Sequence, residues 1–459
     1  MENFIQEEKI HQILKEKKNP NAEEVRKIIK KGLEKKGLTI EETAVLINTE
    51  DEKLLSEIYD AAYQIKEQIY GNRLVFFAPL YVTNACQNDC LYCGFRSSNK
   101  ELKRRTLTMD ELAEEVQILE DMGHKRVLLV YGESQKIGYL AESVKTVYQT
   151  KSGKGEIRRV NVNSAPLTVE EYKILKDADI GTYQCFQETY HQETYQKMHV
   201  SGKKTDYFWR LYALDRAQEA GLDDVAVGVL FGLYDWRFEV LALLQHSEHL
   251  EKKFGVGPHT ISFPRLEPAL NAPMSIDPPY PVSDHDFKKI VAVLRIAVPY
   301  TGLILTTRET PEFRRELFNL GVSQVSAASK TYPGGYKDSI SHMPEMEQFT
   351  LGDTRNLDEV IYDILNMGYI PSFCTACYRL GRTGHDFMEY AKPGDIHKFC
   401  TPNALLTFAE YLLDYGSDKT KKKGLDFLEK EKSKVDPALL PVYEKKLEEI
   451  KQGTRDLFF

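Results

Sequence analysis

The chain has 459 residues, a net charge of −8 and no basic stripe with interleaved aromatic residues, which excludes a typical nucleic-acid-binding protein. No apolar run approaches the length of a membrane span, and residues 1–18 lack the apolar core of a signal peptide. Seven cysteines, an odd number grouped in short clusters, argue against a disulfide framework. We therefore expect a cytoplasmic protein whose thiolates bind metal at low oxygen.

Residues 1–71 are predicted to form a helical extension that carries no chemistry. Thr49 with Glu52 matches a capping box. Apolar residues then recur at helical spacing until Gly71, a typical helix stop. We expect this segment to cover one end of the domain that follows.

Residues 72–345 alternate between short apolar runs and segments of helical length. Thr108 with Glu111 and Thr168 with Glu171 match capping boxes that start helices. Eight strands alternating with helices predict a (β/α)8 barrel of the TIM type, an α/β fold. A smaller, open barrel of six strands is the alternative, but the last two runs fit as well as the first six. The runs lie at 73–83, 126–131, 157–162, 180–186, 224–231, 259–264, 301–306 and 322–326.

A cysteine loop, TNACQNDCLYCGFR, follows the first predicted strand. Its Cys86, Cys90 and Cys93 have the spacing C-x₃-C-x₂-C. Cysteine sulfur is a soft ligand, so an iron–sulfur cluster or zinc is the expected occupant. Three ligands leave one metal ion open to bind a substrate or cofactor. The alternative is a zinc knuckle whose fourth ligand comes from elsewhere in the chain.

Polar residues recur where the predicted strands end. In a (β/α)8 barrel the catalytic groups lie in loops at the C-terminal ends of the strands. Any one such residue alone is more often a solvated surface group, but their common placement predicts one site on this rim. Besides the cysteine loop, these residues are Gly132, Glu133, Gln187, Glu188, Thr189, Pro264, Arg265, Thr307, Arg308 and Glu309.

A second set of cysteines, Cys374, Cys377 and Cys400, lies in a C-terminal region with the spacing C-x₂-C-x₂₂-C. Barrel helices run back from the catalytic rim, so the helix expected before Cys374 places this set at the opposite end. A structural zinc is the alternative occupant. His259 opens the sixth strand at the same end and is a candidate metal ligand, although a lone histidine there is more often only a polar residue.

The first cysteine loop resembles that of the radical S-adenosylmethionine (SAM) enzymes. The resemblance implies a [4Fe–4S] cluster on Cys86, Cys90 and Cys93 whose open iron chelates SAM, with Tyr92 beside the adenine. It also implies that Glu133 meets the SAM ammonium, although Tyr131 replaces the first glycine of the usual turn.

The same resemblance implies further SAM contacts. It matches Glu188 and Arg210 to a pair that lies against the ribose and the methionine carboxylate. A helix-surface arginine is the alternative for Arg210. Asn161 and Asn163, at the end of the third strand, could also reach SAM, and one of them could simply cap a turn.

The segments CTACYRLGRTGHDFM and FCTPNALLTFAEYLLDYG are similar to the C-terminal region of the [FeFe]-hydrogenase maturase G family of tyrosine lyases. This resemblance implies cleavage of the Cα–Cβ bond of L-tyrosine to p-cresol and dehydroglycine. It further implies a second iron–sulfur cluster, expected as [4Fe–4S], with an extra labile iron for which His259 would be a ligand. At that cluster dehydroglycine would become CO and cyanide on iron.

The tyrosine carboxylate needs a bidentate partner, which arginine supplies. Arg308 is the first candidate and Arg265 the second, and the proline-rich segment Leu266–Val282 is expected to roof the site. Because dehydroglycine hydrolyses readily, we expect it to travel through an unusually polar or hollow barrel. We also expect an electron donor such as ferredoxin or flavodoxin, and other hydrogenase maturation proteins, as partners.

Three domains are predicted: residues 1–71, 72–345 and 346–459. Two other functions stay open. The first is the 2-iminoacetate synthase of thiamine-thiazole biosynthesis, which lacks the second cysteine set. The second is a non-catalytic iron–sulfur carrier.

Overall fold

The computed structural model describes residues 2–340 and 342–459. Within these residues, four helices precede the barrel: α1 (Glu7–Glu16), α2 (Ala22–Gly32), α3 (Ile40–Ile47) and α4 (Glu52–Tyr70). They bury their apolar faces against the helices of the barrel, mainly those that follow strands β5 and β6 described below. The predicted helical extension is therefore present, but the expectation that it covers one end was wrong, because its apolar faces pack on the helices at the side of the barrel.

The start of α4 differs from the predicted capping box. Asp51 is the N-cap, and its side chain accepts a hydrogen bond from the backbone N–H of Leu54. The Thr49 hydroxyl instead donates to the carbonyl of Val45, 2.9 Å away. The Thr49–Glu52 box was wrong because an aspartate one position before the helix competes as a cap. Gly71 ends α4 with a φ of +64°, as predicted.

A closed barrel of eight parallel strands forms the centre of the described chain. Strand β1 pairs with β2 on one side and with β8 on the other, which closes the circle. The closed (β/α)8 fold predicted from the sequence is confirmed. The strands are β1 (Arg73–Thr83), β2 (Arg126–Tyr131), β3 (Arg159–Asn163), β4 (Tyr183–Gln184), β5 (Val225–Gly228), β6 (Thr260–Ser262), β7 (Gly302–Leu305) and β8 (Gln324–Ser326).

Helices follow each barrel strand. The capping boxes predicted at Thr108 with Glu111 and at Thr168 with Glu171 start α5 and α7 and are confirmed. The barrel helices are α5 (Met109–Asp121), α6 (Ile137–Gln149), α7 (Val169–Asp177), α8 (Gln192–Met198), α9 (Tyr207–Leu211), α10 (Ala213–Glu219), α11 (Trp236–Phe254), α12 (Pro273–Ile276), α13 (Asp284–Ala297), α14 (Pro311–Phe318) and α15 (Gly335–Asp338), with a 3₁₀ turn at Lys203–Thr205.

The barrel interior has an apolar side and a polar side. On β1, β2 and β7, the side chains of Phe77, Tyr81, Leu128, Val130 and Ile304 form a small buried cluster. On the other strands, several residues that line the internal cavities are polar or small. These include Asn163, Gln184, Ser262, Ser326, Gln324 and Gly302. Layers of bulky branched side chains fill most barrels of this type, so this interior is more polar on one side than such layers would make it.

The C-terminal region adds a ninth strand to the barrel sheet. Strand β9 (Ile370–Ser372) pairs in parallel with the first residues of β1, outside the closed circle. The division into three domains stays a prediction, because β9 joins the C-terminal region to the barrel sheet. The helices here are α16 (Leu357–Asn366), α17 (Ala376–Arg379), α18 (Gly384–Ala391), α19 (His397–Asp414), α20 (Asp418–Glu431) and α21 (Leu440–Lys451), with a 3₁₀ turn at Lys432–Lys434.

Among the residues described, none of the helices combines the length and the apolar character needed to cross a membrane.

Candidate active site and second thiolate site

The first cysteine loop lies across the C-terminal mouth of the barrel. Cys86, Cys90 and Cys93 line one cavity of about 180 Å³. Close backbone packing holds the loop in place: a Cβ on Gly132 would lie 2.3 Å from the carbonyl oxygen of Ala85. A side chain at position 132 would therefore displace the loop.

Cys90 is buried, and the half-buried Cys86 and Cys93 each have an N–H group pointing at the sulfur. The backbone N–H of Asn88 points at Cys86 Sγ, 3.5 Å away, and Gln348 Nε2 points at Cys93 Sγ, 3.7 Å away. Burial raises the pKa of the Cys93 thiol to about 11. Three convergent soft donors with N–H groups aimed at sulfur fit an iron–sulfur cluster with one open iron.

Arg104 fastens the cysteine loop from the solvent side. Its Nη1 donates to the carbonyls of Asn84 and Phe95, each 2.7 Å away, and its Nη2 donates to the carbonyl of Arg96. These carbonyls flank both ends of the loop. Arg104 was not expected from the sequence. It lies eight residues after the loop, and nothing in the motif indicates that an arginine there binds the loop carbonyls.

Two carboxylates and two cations form a compact group beside the cysteines. Arg210 donates to Glu133 Oε1 at 2.9 Å, and Lys204 donates to Glu188 Oε1 at 2.8 Å. Burial alone would raise the pKa of Glu133, but Arg210 and Lys204 hold it below its ordinary value. Arg210 is 5% exposed, so the alternative of a helix-surface arginine is excluded.

Lys204 was not among the residues expected from the sequence. Its side chain is buried and lines the same cavity as the cysteines. The 3₁₀ turn that carries it is held to the cysteine loop, because the backbone N–H of Lys204 donates to Asn88 Oδ1 at 3.0 Å. Glu188 has a φ of +71°, a conformation that side-chain-bearing residues rarely adopt and that aims its carboxylate at this cation.

Tyr92 and Asn163 also line the cavity. The Tyr92 hydroxyl lies 2.7 Å from His199 Nε2, and His199 Nδ1 lies 2.7 Å from the carbonyl of Tyr195. Burial holds the pKa of His199 well below its ordinary value, so the ring is neutral. Nδ1 then donates to the carbonyl and Nε2 accepts from Tyr92, which fixes the tyrosine ring. Asn161, by contrast, is not on the cavity wall, and its side chain accepts a hydrogen bond from the backbone N–H of Thr182.

The tyrosine at the first glycine position of the turn does not block the site. The Tyr131 hydroxyl lies 2.6 Å from Ser143 Oγ on helix α6, outside the barrel. Its side chain therefore points away from the cavity. The turn still brings Gly132 and Glu133 to the cavity wall.

The two candidate substrate arginines have different surroundings. The Arg308 guanidinium lies over the ring of Phe349, 3.3 Å from its centroid, and lines the cavity. Within the described residues its side chain has no hydrogen-bonded acceptor. Arg265 instead forms a two-point ion pair with Glu309 and donates to Asp284 Oδ1 at 2.8 Å. The structure does not place Arg265 on the cavity wall.

The Leu266–Val282 segment reaches across the mouth, as expected. Leu266 lines the cavity. The backbone N–H of Met274, in α12, donates to the carbonyl of Leu91 in the cysteine loop at 3.1 Å. Asn99 donates to the carbonyl of Leu270 at 3.1 Å. The roof is thus fastened directly to the cysteine loop.

The second thiolate set lies at the other end of the barrel, as predicted. Cys374, Cys377 and Cys400 line a cavity of about 60 Å³ together with His259. Cys377 and Cys400 lie close enough to share a hydrogen bond, which lowers the pKa of Cys400. By donor type the set fits an iron–sulfur cluster or a zinc ion. Among the described residues, its three sulfur atoms do not all lie within 4.8 Å of one another, as the ligands of one zinc ion would.

His259 faces two polar partners at this end. Its Nε2 lies 3.2 Å from the Tyr378 hydroxyl, and its Nδ1 lies 3.4 Å from Asp224 Oδ1. A histidine that ligates metal through one nitrogen usually has a carboxylate or carbonyl at the other. The structure therefore brings His259 to the second cysteine set in an arrangement that suits a ligand.

The two cavities share strands. On β7, Gly302 lines the lower cavity and Ile304 the upper one. On β8, Gln324 lines the lower cavity and Ser326 the upper one. Two residues along a strand correspond to roughly 7 Å. Inside the barrel the two cavities therefore approach each other to within about two residues along these strands.

Comparisons with known proteins agree with this architecture. Residues 80–244 match the family model of the Radical SAM superfamily, and residues 262–370 match the Biotin and Thiamin Synthesis associated domain. The barrel with three cysteines at its mouth is therefore that of a radical SAM enzyme.

Relatives narrow the assignment. The 2-iminoacetate synthase of Escherichia coli (strain K12) is 34% identical over 347 residues, which cover 75% of this chain and 89% of that protein. A crystal structure of HydG, a maturase of the [FeFe]-hydrogenase, has 52% identity and a TM-score of 0.96 and covers 100% of both chains. The structure of HydG from Carboxydothermus hydrogenoformans has 43% identity and a TM-score of 0.84 and covers 97% of this chain and 98% of that one. The chain belongs to the HydG family of [FeFe]-hydrogenase maturases and is a radical SAM carbon–carbon lyase.

Proposed function

We propose that the protein cleaves the Cα–Cβ bond of L-tyrosine to give p-cresol and dehydroglycine, using SAM and a [4Fe–4S] cluster on Cys86, Cys90 and Cys93. The observation that carries this proposal is Arg308. It is a half-buried cation that lines the cysteine cavity, and the described residues leave its fork without an acceptor. A planar fork in that position suits the carboxylate of an amino acid.

Different residues around the cavity would bind SAM and tyrosine. Glu133 would accept the SAM ammonium, because its carboxylate is already held ionised beside Arg210. Glu188 and Asn163 would bind the ribose, and Tyr92 would lie beside the adenine. When bound, the cluster and SAM supply the radical that activates tyrosine, while the protein binds, orients and excludes water.

A second step at the other end of the barrel is part of the proposal. We expect a second iron–sulfur cluster on Cys374, Cys377 and Cys400 and an additional labile iron near His259. Dehydroglycine would be converted there into CO and cyanide on iron. The similarity to the two HydG structures, each of a maturase of the [FeFe]-hydrogenase, supports this proposal.

The barrel interior would carry dehydroglycine between the two sites. Dehydroglycine hydrolyses in water, so an internal route protects it. The polar inward residues and the short step between the two cavities on β7 and β8 support such a route.

The proposal also includes partners and conditions. A one-electron donor such as ferredoxin or flavodoxin would reduce the first cluster, and another hydrogenase maturation protein would receive the iron product. Both clusters require low oxygen, and we expect the protein to work in the cytoplasm.

An anaerobic assay with L-tyrosine, SAM and a reductant tests the proposal. We expect p-cresol and 5′-deoxyadenosine in near-equal amounts, with CO captured by deoxyhaemoglobin. The 2-iminoacetate synthase alternative would give p-cresol without CO. A non-catalytic carrier would leave SAM and tyrosine intact, and the Arg308 cavity would then have no function.

A further inference from the structure

We propose that Gln348 is a positioning residue that links the substrate arginine to the electron affinity of the first cluster. The inference rests on the proposed function only for its substrate, L-tyrosine. It deepens that function by assigning a residue that regulates when the cluster accepts an electron.

Gln348 uses both ends of its amide. Nε2 points at Cys93 Sγ, 3.7 Å away, and Oε1 accepts a hydrogen bond of 2.7 Å from the Tyr81 hydroxyl. A sulfur that ligates iron can only accept a hydrogen bond, so Nε2 faces it, and Oε1 is left to accept from the Tyr81 hydroxyl, which holds the amide in this orientation. The Gln348 carbonyl also accepts from the backbone N–H of Gly94, at 3.1 Å.

The backbone around Gln348 packs tightly on the cysteine loop. A Cβ on Gly94 would lie 2.6 Å from the Glu347 carbonyl and 2.9 Å from the Gln348 carbonyl. Asn84 Nδ2 donates to the carbonyl of Met346 at 3.3 Å. A displacement of residues 346–349 is therefore expected to move the backbone of the cysteine loop.

The next residue connects this segment to the substrate arginine. Phe349 carries the Arg308 guanidinium on its ring, with 3.3 Å between the guanidinium carbon and the ring centroid. Neighbouring residues of one short segment thus contact the cluster cysteine and the group proposed to bind the tyrosine carboxylate. When a carboxylate draws Arg308 toward the cavity, we expect the Phe349 ring to follow and to shift the Gln348 amide through their shared backbone.

An N–H group aimed at a cluster sulfur has a defined effect. It stabilises the more negative, reduced state, so it makes the reduction potential of the cluster less negative. Loss of the amide donor should therefore make that potential more negative. If the amide moves when tyrosine binds, the potential should depend on tyrosine in the wild type, and this dependence should need Gln348.

The test is an anaerobic redox titration of the reconstituted full-length protein, monitored by EPR, with and without saturating L-tyrosine. We expect Gln348→Met to have a more negative midpoint potential than the wild type without tyrosine. We also expect the shift that tyrosine causes in the wild type to be lost. Gln87→Met is the matched control, since Gln87 is an exposed glutamine in the cysteine loop, and it should behave as wild type.

A second variant keeps the inference testable if Gln348→Met does not hold the cluster. Tyr81→Phe keeps the ring and the amide donor but removes the bond that orients the amide, and it should lose the tyrosine-induced shift. An unchanged potential in Gln348→Met, a retained tyrosine shift in either variant, or no shift in the wild type would each overturn the inference. The tyrosine-free comparison stands even if the wild type makes no p-cresol, so failure of the proposed function is distinguishable.

Discussion

Replacement of Arg308 by lysine tests the substrate site most sharply. Lysine keeps the positive charge but loses the bidentate fork and the flat contact with Phe349. Loss of one charge-assisted hydrogen bond to the tyrosine carboxylate costs about 1.5–3 kcal/mol. Because about 1.4 kcal/mol corresponds to tenfold in affinity, Kd for tyrosine should rise roughly ten- to a hundredfold.

SAM should bind this variant nearly as well as wild type, because its proposed contacts are with the group around Glu133 and Lys204. Binding of each ligand to the reconstituted protein is measured anaerobically by equilibrium dialysis. Arg265→Lys is the matched control, since Arg265 is held by Glu309 and Asp284 and does not line the cavity. Equal weakening of both ligands in Arg308→Lys, or selective loss of tyrosine in Arg265→Lys, would refute the reasoning.

Three further predictions follow from the contacts described above. Cys86→Ala should abolish 5′-deoxyadenosine and p-cresol together in the anaerobic assay, and deoxyadenosine above background would contradict the first cluster site. Gly132→Ala should lower the iron and sulfide content without changing the circular dichroism spectrum, because its Cβ would lie 2.3 Å from the Ala85 carbonyl; full iron loading would show that the loop tolerates the change. Arg158→Met should lower the free energy of unfolding by about 3–5 kcal/mol, since it breaks a buried ion pair of 2.9 Å with Glu410. Denaturant titration of the metal-free protein measures this loss, which the double variant with Glu410→Leu should partly restore; a single variant as stable as wild type would contradict it.

Most of the barrel could be predicted because each strand carries its own local signal. Buried parallel strands are nearly continuous apolar runs, and the capping boxes at Thr108 and Thr168 mark where helices begin. Strand β9 could not be predicted in this way. It is three residues long and contains Pro371, which a central strand would exclude but an edge strand tolerates.

The site was predictable where a motif or a strand end marked it. The cysteines, Glu133, Glu188 and Arg308 all follow strands, and the structure places them around one cavity. Gln348 and Lys204 could not be found this way, because they belong to no motif. Gln348 lies 255 residues from Cys93 in the chain, so only the folded structure shows their contact. Arg265 was a candidate because of its strand end, but its ion pairs hold it away from the cavity.

The most direct test of the two-site account is the double variant Cys374→Ser and Cys377→Ser. Two of the three ligands of the second set are then lost, while the mouth of the barrel is untouched. Anaerobic turnover is followed with p-cresol and haemoglobin-bound CO measured in the same tubes. The account predicts that p-cresol forms as in wild type, that dehydroglycine drains into water as glyoxylate and ammonia, and that CO falls sharply. CO that keeps its wild-type ratio to p-cresol would contradict the account and make the second set a structural metal site.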